Sequence, residues 1–254
     1  MQTNMRTIES PHNQTVKLYS KLGAKKHRRE LSLYAAEGEK LVLDAVRAGA
    51  DVRAVLFKGS AKERFENILG AASCEVFALS DSAYEKLSFD ASPQGIMAVL
   101  GIPENAPSPP AGSALILDRI SDPGNLGTVL RSANAFGYLD VYLVGCTDPY
   151  APRAVRAAMS ALLHVRLHEC GEAEAVSLSR GRTKLCADIR GGSLYEKSFP
   201  PVHTLVIGSE SFGVSEGLRA ACDDVITVPM REGAESLNAG VAASIIMSRL
   251  CGIA

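Results

Sequence analysis

Ala114-Leu115-Ile116-Leu117 runs directly into the polar stretch Asp118-Arg119-Ile120-Ser121-Asp122-Pro123-Gly124-Asn125-Leu126-Gly127, and this apolar run followed by a turn and a helical segment decides the fold. The pattern recurs. Val141-Tyr142-Leu143-Val144, Lys184-Leu185-Cys186-Ala187, Thr204-Leu205-Val206-Ile207 and Val225-Ile226-Thr227-Val228 are short and mostly apolar, with helical segments between them. Nearly continuous apolar strands that alternate with helices predict an α/β architecture, a parallel sheet covered on both faces. In such sheets a ligand sits outside the carboxyl ends of the strands. The polar residues that follow each run are therefore the candidates for a site.

Outward from this pattern, 254 residues with 46% hydrophobic content predict a soluble chain able to bury two cores. No apolar run approaches the roughly twenty residues of a membrane span, and Met1-Gln2-Thr3-Asn4-Met5-Arg6 lacks the apolar block of a signal peptide, so a cytoplasmic location is expected. Ile102 to Ser113 carries four prolines and neither a helical nor a strand period, which marks a linker. The expected division is a domain over 1–102, a linker over 103–112 and a second domain over 113–254. In the first half, a helix over Glu37–Ala48, stopped by Gly49, precedes a strand over Val52–Phe57, the signature of a small α/β domain.

Several chemistries are excluded by spacing. The six cysteines are scattered, without the close pairs of a zinc knuckle or a redox motif, and read as buried thiols. His164 and His168 lie four apart, but Val165 follows His164 and no third ligand is evident, so no metal is expected. Net charge is only −1, yet between His12 and Arg29 the chain carries Lys17, Lys21, Lys25, Lys26, Arg28 and Arg29 without a carboxylate. Lys17, Lys21 and Lys25 share four-residue spacing on a predicted helix. By charge alone this stripe suits a solvated helix face as well as it suits a phosphate backbone.

Three polar segments follow strands. In the first, Pro123 and Gly124 force a turn, Asn125 is placed to cap the next helix, and Arg131 lies about two turns along it. A planar guanidinium there suits a phosphate or carboxylate, whereas an ordinary Asx-Pro-Gly turn accounts only for Asp122 to Gly124. The second, Gly208-Ser209-Glu210-Ser211-Phe212-Gly213-Val214-Ser215-Glu216-Gly217, has glycines that admit close approach, but neither a dinucleotide fingerprint nor a P-loop lysine. Glu210 alone fits either a functional carboxylate or a helix N-terminal charge partner. The third reads as a strand ending at Val228-Pro229-Met230, a loop through Arg231 to Glu235, and a helix capped by Ser236 ahead of Leu237 and Asn238.

Together these segments resemble the three signature motifs of the SpoU (TrmH-like) RNA ribose methyltransferases of the SPOUT superfamily. The matching residues are Asp122-Pro123, Asn125, Gly127, Arg131 and Gly137, then Gly208, Glu210 and Gly213, then Pro229-Met230 and Ser236-Leu237-Asn238, in the family's order. The first half resembles the L30e-like RNA substrate-binding domain often fused ahead of this catalytic domain, through Asn13, Lys17, Lys25-Lys26-His27-Arg28-Arg29, Glu37-Gly38 and Ser92-Pro93-Gln94-Gly95. The resemblance turns Lys17, Lys25, Lys26, Arg28 and Arg29 into expected RNA contacts.

The resemblance implies transfer of a methyl group from S-adenosylmethionine to a ribose 2′-hydroxyl, by a catalytic domain that carries a deep trefoil knot and pairs as a homodimer. It implies Gly208, Val228, Leu237, Met230 and Ile207 at the cofactor, and Arg131, Asn125, Glu210, Ser236 and Asn238 as the catalytic set. An arginine pKa above about 12 makes a neutral guanidine scarce, so Arg131 is expected to bind the target phosphate and lower the cost of the developing alkoxide. Relatives with an N-terminal extension favour ribosomal RNA as substrate over transfer RNA. The competing readings are a catalytically silent RNA-binding protein, a cysteine-dependent base methyltransferase, and a nicotinamide oxidoreductase, which lacks its glycine fingerprint here. Ala158 to Val165 departs from the family, with no glycine or proline where relatives carry them.

Overall fold

In the second half, every residue of Ala114–Asp118 and Asp140–Val144 is buried, which is the burial expected of strands covered on both faces. The computed structural model describes residues 5–233 and 235–251, and these fall into two compact units.

The first unit contains β1 (Met5–Ile8), α1 (Gln14–Ser20), α2 (Lys25–Leu31), β2 (Leu33–Glu37), α3 (Glu39–Arg47), β3 (Val52–Lys58), α4 (Glu66–Ala71), β4 (Glu75–Leu79), α5 (Asp81–Leu87) and β5 (Ile96–Gly101). Its sheet has the order β1-β4-β3-β5-β2, with β5 antiparallel to both its neighbours and the other pairs parallel. Leu56, Phe77, Tyr84, Leu87 and Met97 form its apolar centre with Val16 and Leu22 of the N-terminal helical stretch.

The expected single basic helix is broken. A 3-10 turn over Lys21–Gly23 separates α1 from α2, and Ala24 is extended, so Lys17, Lys21 and Lys25 do not form one stripe. The break leaves the Leu22 carbonyl without a helical partner, and Arg28 Nη1 donates to it at 2.6 Å. Arg28 is accordingly buried, at 3% exposure, and leaves the set of surface cations expected to meet RNA.

The second unit holds β6 (Ala114–Asp118), α6 (Pro123–Ala135), β7 (Asp140–Val144), β8 (Arg166–Glu169), α8 (Glu172–Leu178), β9 (Thr183–Ser193), β10 (His203–Gly208), α9 (Glu216–Ala220), β11 (Asp224–Thr227) and α10 (Ala239–Leu250). The intervening α7 (Pro152–Ala158) and the 3-10 segment Met159–Leu163 group with the first unit instead, where Arg156 pairs with Asp90 at 2.5 Å and Tyr150 packs on Tyr34. Met159 has φ +52°, a backbone state that is rare outside glycine, in the stretch whose sequence departs from the family.

All pairs in the six-stranded sheet are parallel, in the order β11-β9-β10-β6-β7-β8. The chain leaves β6 toward β7 and β8, then returns to build β9, β10 and β11 on the other side, so the order reverses between β6 and β10. Asp118 and Gly208, the last residues of those strands, are register partners there. The proline-rich stretch has no helix or strand, but it is pinned along the second unit: Asn105 exchanges two 2.9 Å bonds with the Glu169 backbone, and Tyr142 Oη donates to Ser108 O at 2.7 Å.

Candidate active site

Two helix starts frame the site, and both differ from expectation by a few residues. Helix α6 is capped by Asp122, whose Oδ1 accepts from Asn125 N at 2.9 Å, because Pro123 occupies the first helical position and has no N–H to satisfy. Asn125 is thereby freed from capping. Helix α10 is capped by Asn238, not Ser236: its Oδ1 accepts from Gly240 N at 3.0 Å and Val241 N at 3.2 Å.

These caps fix a hydrogen-bond relay across the three motifs. The helix N–H groups make Asn238 Oδ1 the acceptor, so its Nδ2 must point outward, and it donates to Asn125 Oδ1 at 2.8 Å. Asn125 Nδ2 is then the group left to donate to Glu210 Oε1. Thus three residues far apart in sequence converge on one line, with the helix backbone setting the direction of every amide.

Beside this relay a cavity of about 360 Å³ opens at the carboxyl ends of β10 and β11, against the middle of β9. Ile207, Gly208, Val228, Met230 and Leu237 all line it, as do Glu210 and Ser236. Asn125 and Asn238 reach it only through the relay. Arg131 does not line it. It stands six residues after Asn125, about 9 Å along α6 and a third of a turn around it, exposed and without an ion pair among the described residues.

The wall from β10 is held by close backbone packing. A Cβ on Gly208 would stand 2.1 Å from Gly213 C and 2.2 Å from Val214 N, so the loop that folds over it requires glycine here, while the residue also lines the cavity. Gly213 N donates to Ser209 O at 2.9 Å and Phe212 N to Ser209 Oγ at 3.3 Å, closing a tight turn over Ser209–Gly213. Beyond it, Ser215 N donates at 2.6 Å to Asp118, a fully buried carboxylate that Arg119 also holds at 3.0 and 3.2 Å.

The opposite wall comes from an excursion that sequence patterning missed. Between Val225↔Cys186 and Ile226↔Gly192 the register advances one residue on β11 and six on β9, so residues 187–191 loop out and line the cavity through Ala187, Asp188, Ile189 and Arg190. Gly191 closes the excursion, since a Cβ there would sit 2.6 Å from Ile226 C. Burial pushes the Asp188 carboxyl up, but the Arg190 amide, at 2.8 Å, and the Arg219 guanidinium outweigh it and hold the group below its usual value. Asp188 is therefore a fixed negative charge on the wall.

None of the six cysteines lines the cavity, and burial pushes the Cys146 thiol, the one that follows β7, up to about 12. That removes the support for a cysteine nucleophile at this site. Among the described residues no cluster of three or more His, Cys, Asp or Glu could hold a metal ion, and no helix is long and apolar enough to cross a membrane. The cavity's size and its mostly apolar walls, with a few fixed polar groups, fit an organic cofactor such as S-adenosylmethionine.

The first unit presents Lys17, Lys25, Lys26 and Arg29 at its surface, Lys26 within 3.8 Å of Glu30. The other segments that carry its resemblance meet one another: Gly38 N donates to Ile96 O at 3.0 Å, and Gln94 Oε1 accepts from Glu39 N at 2.8 Å. Glu37 is structural, accepting from Tyr84 Oη, Ser88 Oγ and Phe89 N at 3.1, 2.6 and 3.0 Å.

Comparison with known proteins gives the chain's relatives. Residues 112–248 match the SpoU rRNA Methylase family, and residues 13–98 match the MRM3-like substrate binding domain. The 23S rRNA (guanosine(2553)-2′-O)-methyltransferase RlmP of Bacillus subtilis is 31% identical, over 98% of this chain and 100% of its own. A putative RNA methyltransferase of the TrmH family from Porphyromonas gingivalis superposes with a TM-score of 0.82 at 31% identity, over 92% of this chain and 96% of that one. An AdoMet-bound rRNA methyltransferase from Sinorhizobium meliloti superposes with a TM-score of 0.84 at 25% identity, over 97% of both chains.

Proposed function

The chain belongs to the SpoU rRNA methylase family, and from that premise we propose that it methylates a ribose 2′-hydroxyl of ribosomal RNA. It is an S-adenosylmethionine-dependent RNA methyltransferase, and the bound cofactor supplies the electrophilic methyl group. The observation that carries the reading is the Asn238–Asn125–Glu210 relay at the mouth of the cavity, which joins one residue from each of the three motifs.

Ile207, Val228, Met230 and Leu237 provide the apolar walls for the cofactor, and the looped-out 187–191 segment closes the far side. A ribose hydroxyl is a poor nucleophile, so much of the acceleration comes from holding it in place. Glu210 accepts a hydrogen bond from that hydroxyl, the relay fixes where its carboxylate points, and Ser236 adds a second polar contact from the cavity wall. Arg131 lies away from the cavity, which suits a hold on the phosphate of the substrate strand rather than removal of the proton.

Lys17, Lys25, Lys26 and Arg29 contact the RNA backbone, with domain limits at 1–102 and 113–254. The proposal includes a trefoil knot in the catalytic domain, a cytoplasmic location, and a homodimer through the catalytic domain, where Val241 of α10 stands 45% exposed. The test is to digest ribosomal and transfer RNA from cells with and without the protein and map 2′-O-methylnucleosides. One ribosomal position should lose its methyl group and regain it on incubation with the protein and S-adenosylmethionine. Loss confined to transfer RNA, or no loss at all, overturns the assignment.

A further inference from the structure

We infer that Phe212 is the platform on which the nucleobase of the target nucleotide stacks, a positioning contact that rests on the reading just given. Phe212 is 80% exposed, more than any other large apolar side chain among the described residues. A single exposed apolar residue is ordinary on a protein surface, so its place and support carry the inference. It sits in the Ser209–Gly213 turn, two residues after Glu210, and lines the same cavity.

The ring is held out by construction. Phe212 N is bound to the hydroxyl of buried Ser209, Gly213 returns to Ser209 O, and the whole turn rests on Gly208 with no room for a side chain beneath it. A short, twice-tied turn fixes the backbone that carries this exposed aromatic and so the rim position from which its ring projects. A ribose whose 2′-hydroxyl reaches Glu210 carries its base on the adjacent carbon, so the base arrives at this same rim. Unpaired bases in RNA are characteristically held on aromatic faces, and stacking tolerates any base because each has a π-face. Tyr195, the other exposed aromatic, is 56% exposed but does not line the cavity.

The test compares full-length wild type, Phe212→Ala and Phe212→Tyr in steady-state methyl transfer to ribosomal RNA prepared from cells lacking the protein. Calorimetry of S-adenosylmethionine binding and sedimentation run in parallel. Stacking of about 1–3 kcal/mol per base corresponds to a loss of roughly 5- to 150-fold, so kcat/KM for RNA should fall in that range for Phe212→Ala. The change should appear mainly in KM, Phe212→Tyr should restore it, and cofactor affinity should not move. Unchanged kcat/KM in Phe212→Ala overturns the inference. So does weakened cofactor binding, which would assign the ring to the adenine, or loss of dimer mass, which would assign it to a second copy of the chain. A wild-type protein that methylates no RNA removes the parent reading and this inference with it, whereas equal activity of wild type and Phe212→Ala removes the inference alone.

Discussion

Replacing Asn238 by aspartate separates its two jobs. Its Oδ1 caps α10 through two backbone N–H groups, and its Nδ2 donates to Asn125. Aspartate keeps an acceptor at the cap, where Asn and Asp rank equally, and its charge suits a helix N-terminus, so Asn238→Asp should stay within about 0.5 kcal/mol of wild type. Alanine removes the cap at a cost of about 1 kcal/mol, which for a chain of this size lowers Tm by roughly 2–4 °C. Activity should divide differently. With carboxylates at both 238 and 210, Asn125 lies between two acceptors, and turning its amide only moves the mismatch from one end to the other. The bond lost joins two neutral, exposed amides, so water replaces it at little cost to Tm, while the misdirected Asn125 loses about 0.5–1.5 kcal/mol of positioning and kcat/KM should fall roughly 2- to 10-fold in Asn238→Asp. Thermal melting and tritiated methyl transfer on the same preparations provide the assay. An Asn238→Asp protein as active as wild type would refute the relay, and one as destabilised as Asn238→Ala would refute the capping assignment.

Three further outcomes follow from the packing. Gly208→Ala forces a methyl group into the Gly213–Val214 backbone and should cost about 1–3 kcal/mol, with weaker cofactor binding by calorimetry because the turn it displaces forms a wall of the cavity. Lys25→Ala/Lys26→Ala should weaken RNA binding and flatten its dependence on salt without changing Tm, whereas Arg28→Ala should lower Tm because it strips a buried carbonyl of its partner. Burial pushes the Asp140 carboxyl up, but Arg166, at 2.7 and 2.8 Å, the Ala111 amide and His168 outweigh it and hold the pKa below the ordinary 3.8. Because the folded-state pKa is lowered, this stabilisation is complete above the unfolded value and is lost as pH falls through the folded one. Acid titration of Tm should therefore show a smaller loss below about pH 4 in Asp140→Asn than in wild type.

Strands were legible wherever burial on both faces wrote an unbroken apolar run, as in Ala114–Leu117 and Thr204–Ile207. The edge strand Arg166–Glu169 was not, because three of its four residues are polar and only its pairing with β7 makes it a strand. Both helix starts were misplaced for local reasons: Pro123 moves the cap back to Asp122, and the residues after Ser236 do not turn helical until Ala239. The five residues that the family resemblance placed at the cofactor all line the cavity, Ile207, Gly208 and Val228 from the ends of β10 and β11 and Met230 and Leu237 from the segment that leads to α10. The excursion over residues 187–191 was not legible, since it exists only through the register of β9 against β11, a partner far along the chain. Arg28 belongs with it: its burial follows from a helix break that the charge pattern concealed.

That excursion has a consequence for how the pocket can change. Both of its ends are clamped to consecutive residues of β11, Cys186 against Val225 and Gly192 against Ile226, so apart from Asp188, tied to Arg219, and Gly191, packed on Ile226, its length and composition are decoupled from the sheet that carries it. Most of the entropy of closing it is met by strand pairing that would form anyway, and doubling such a loop adds only about 0.6 kcal/mol. Apart from those two residues, the excursion thus behaves as an exchangeable panel, through which one side of the cavity can be recontoured by substitution or insertion while the relay, the caps and the sheet stay in place.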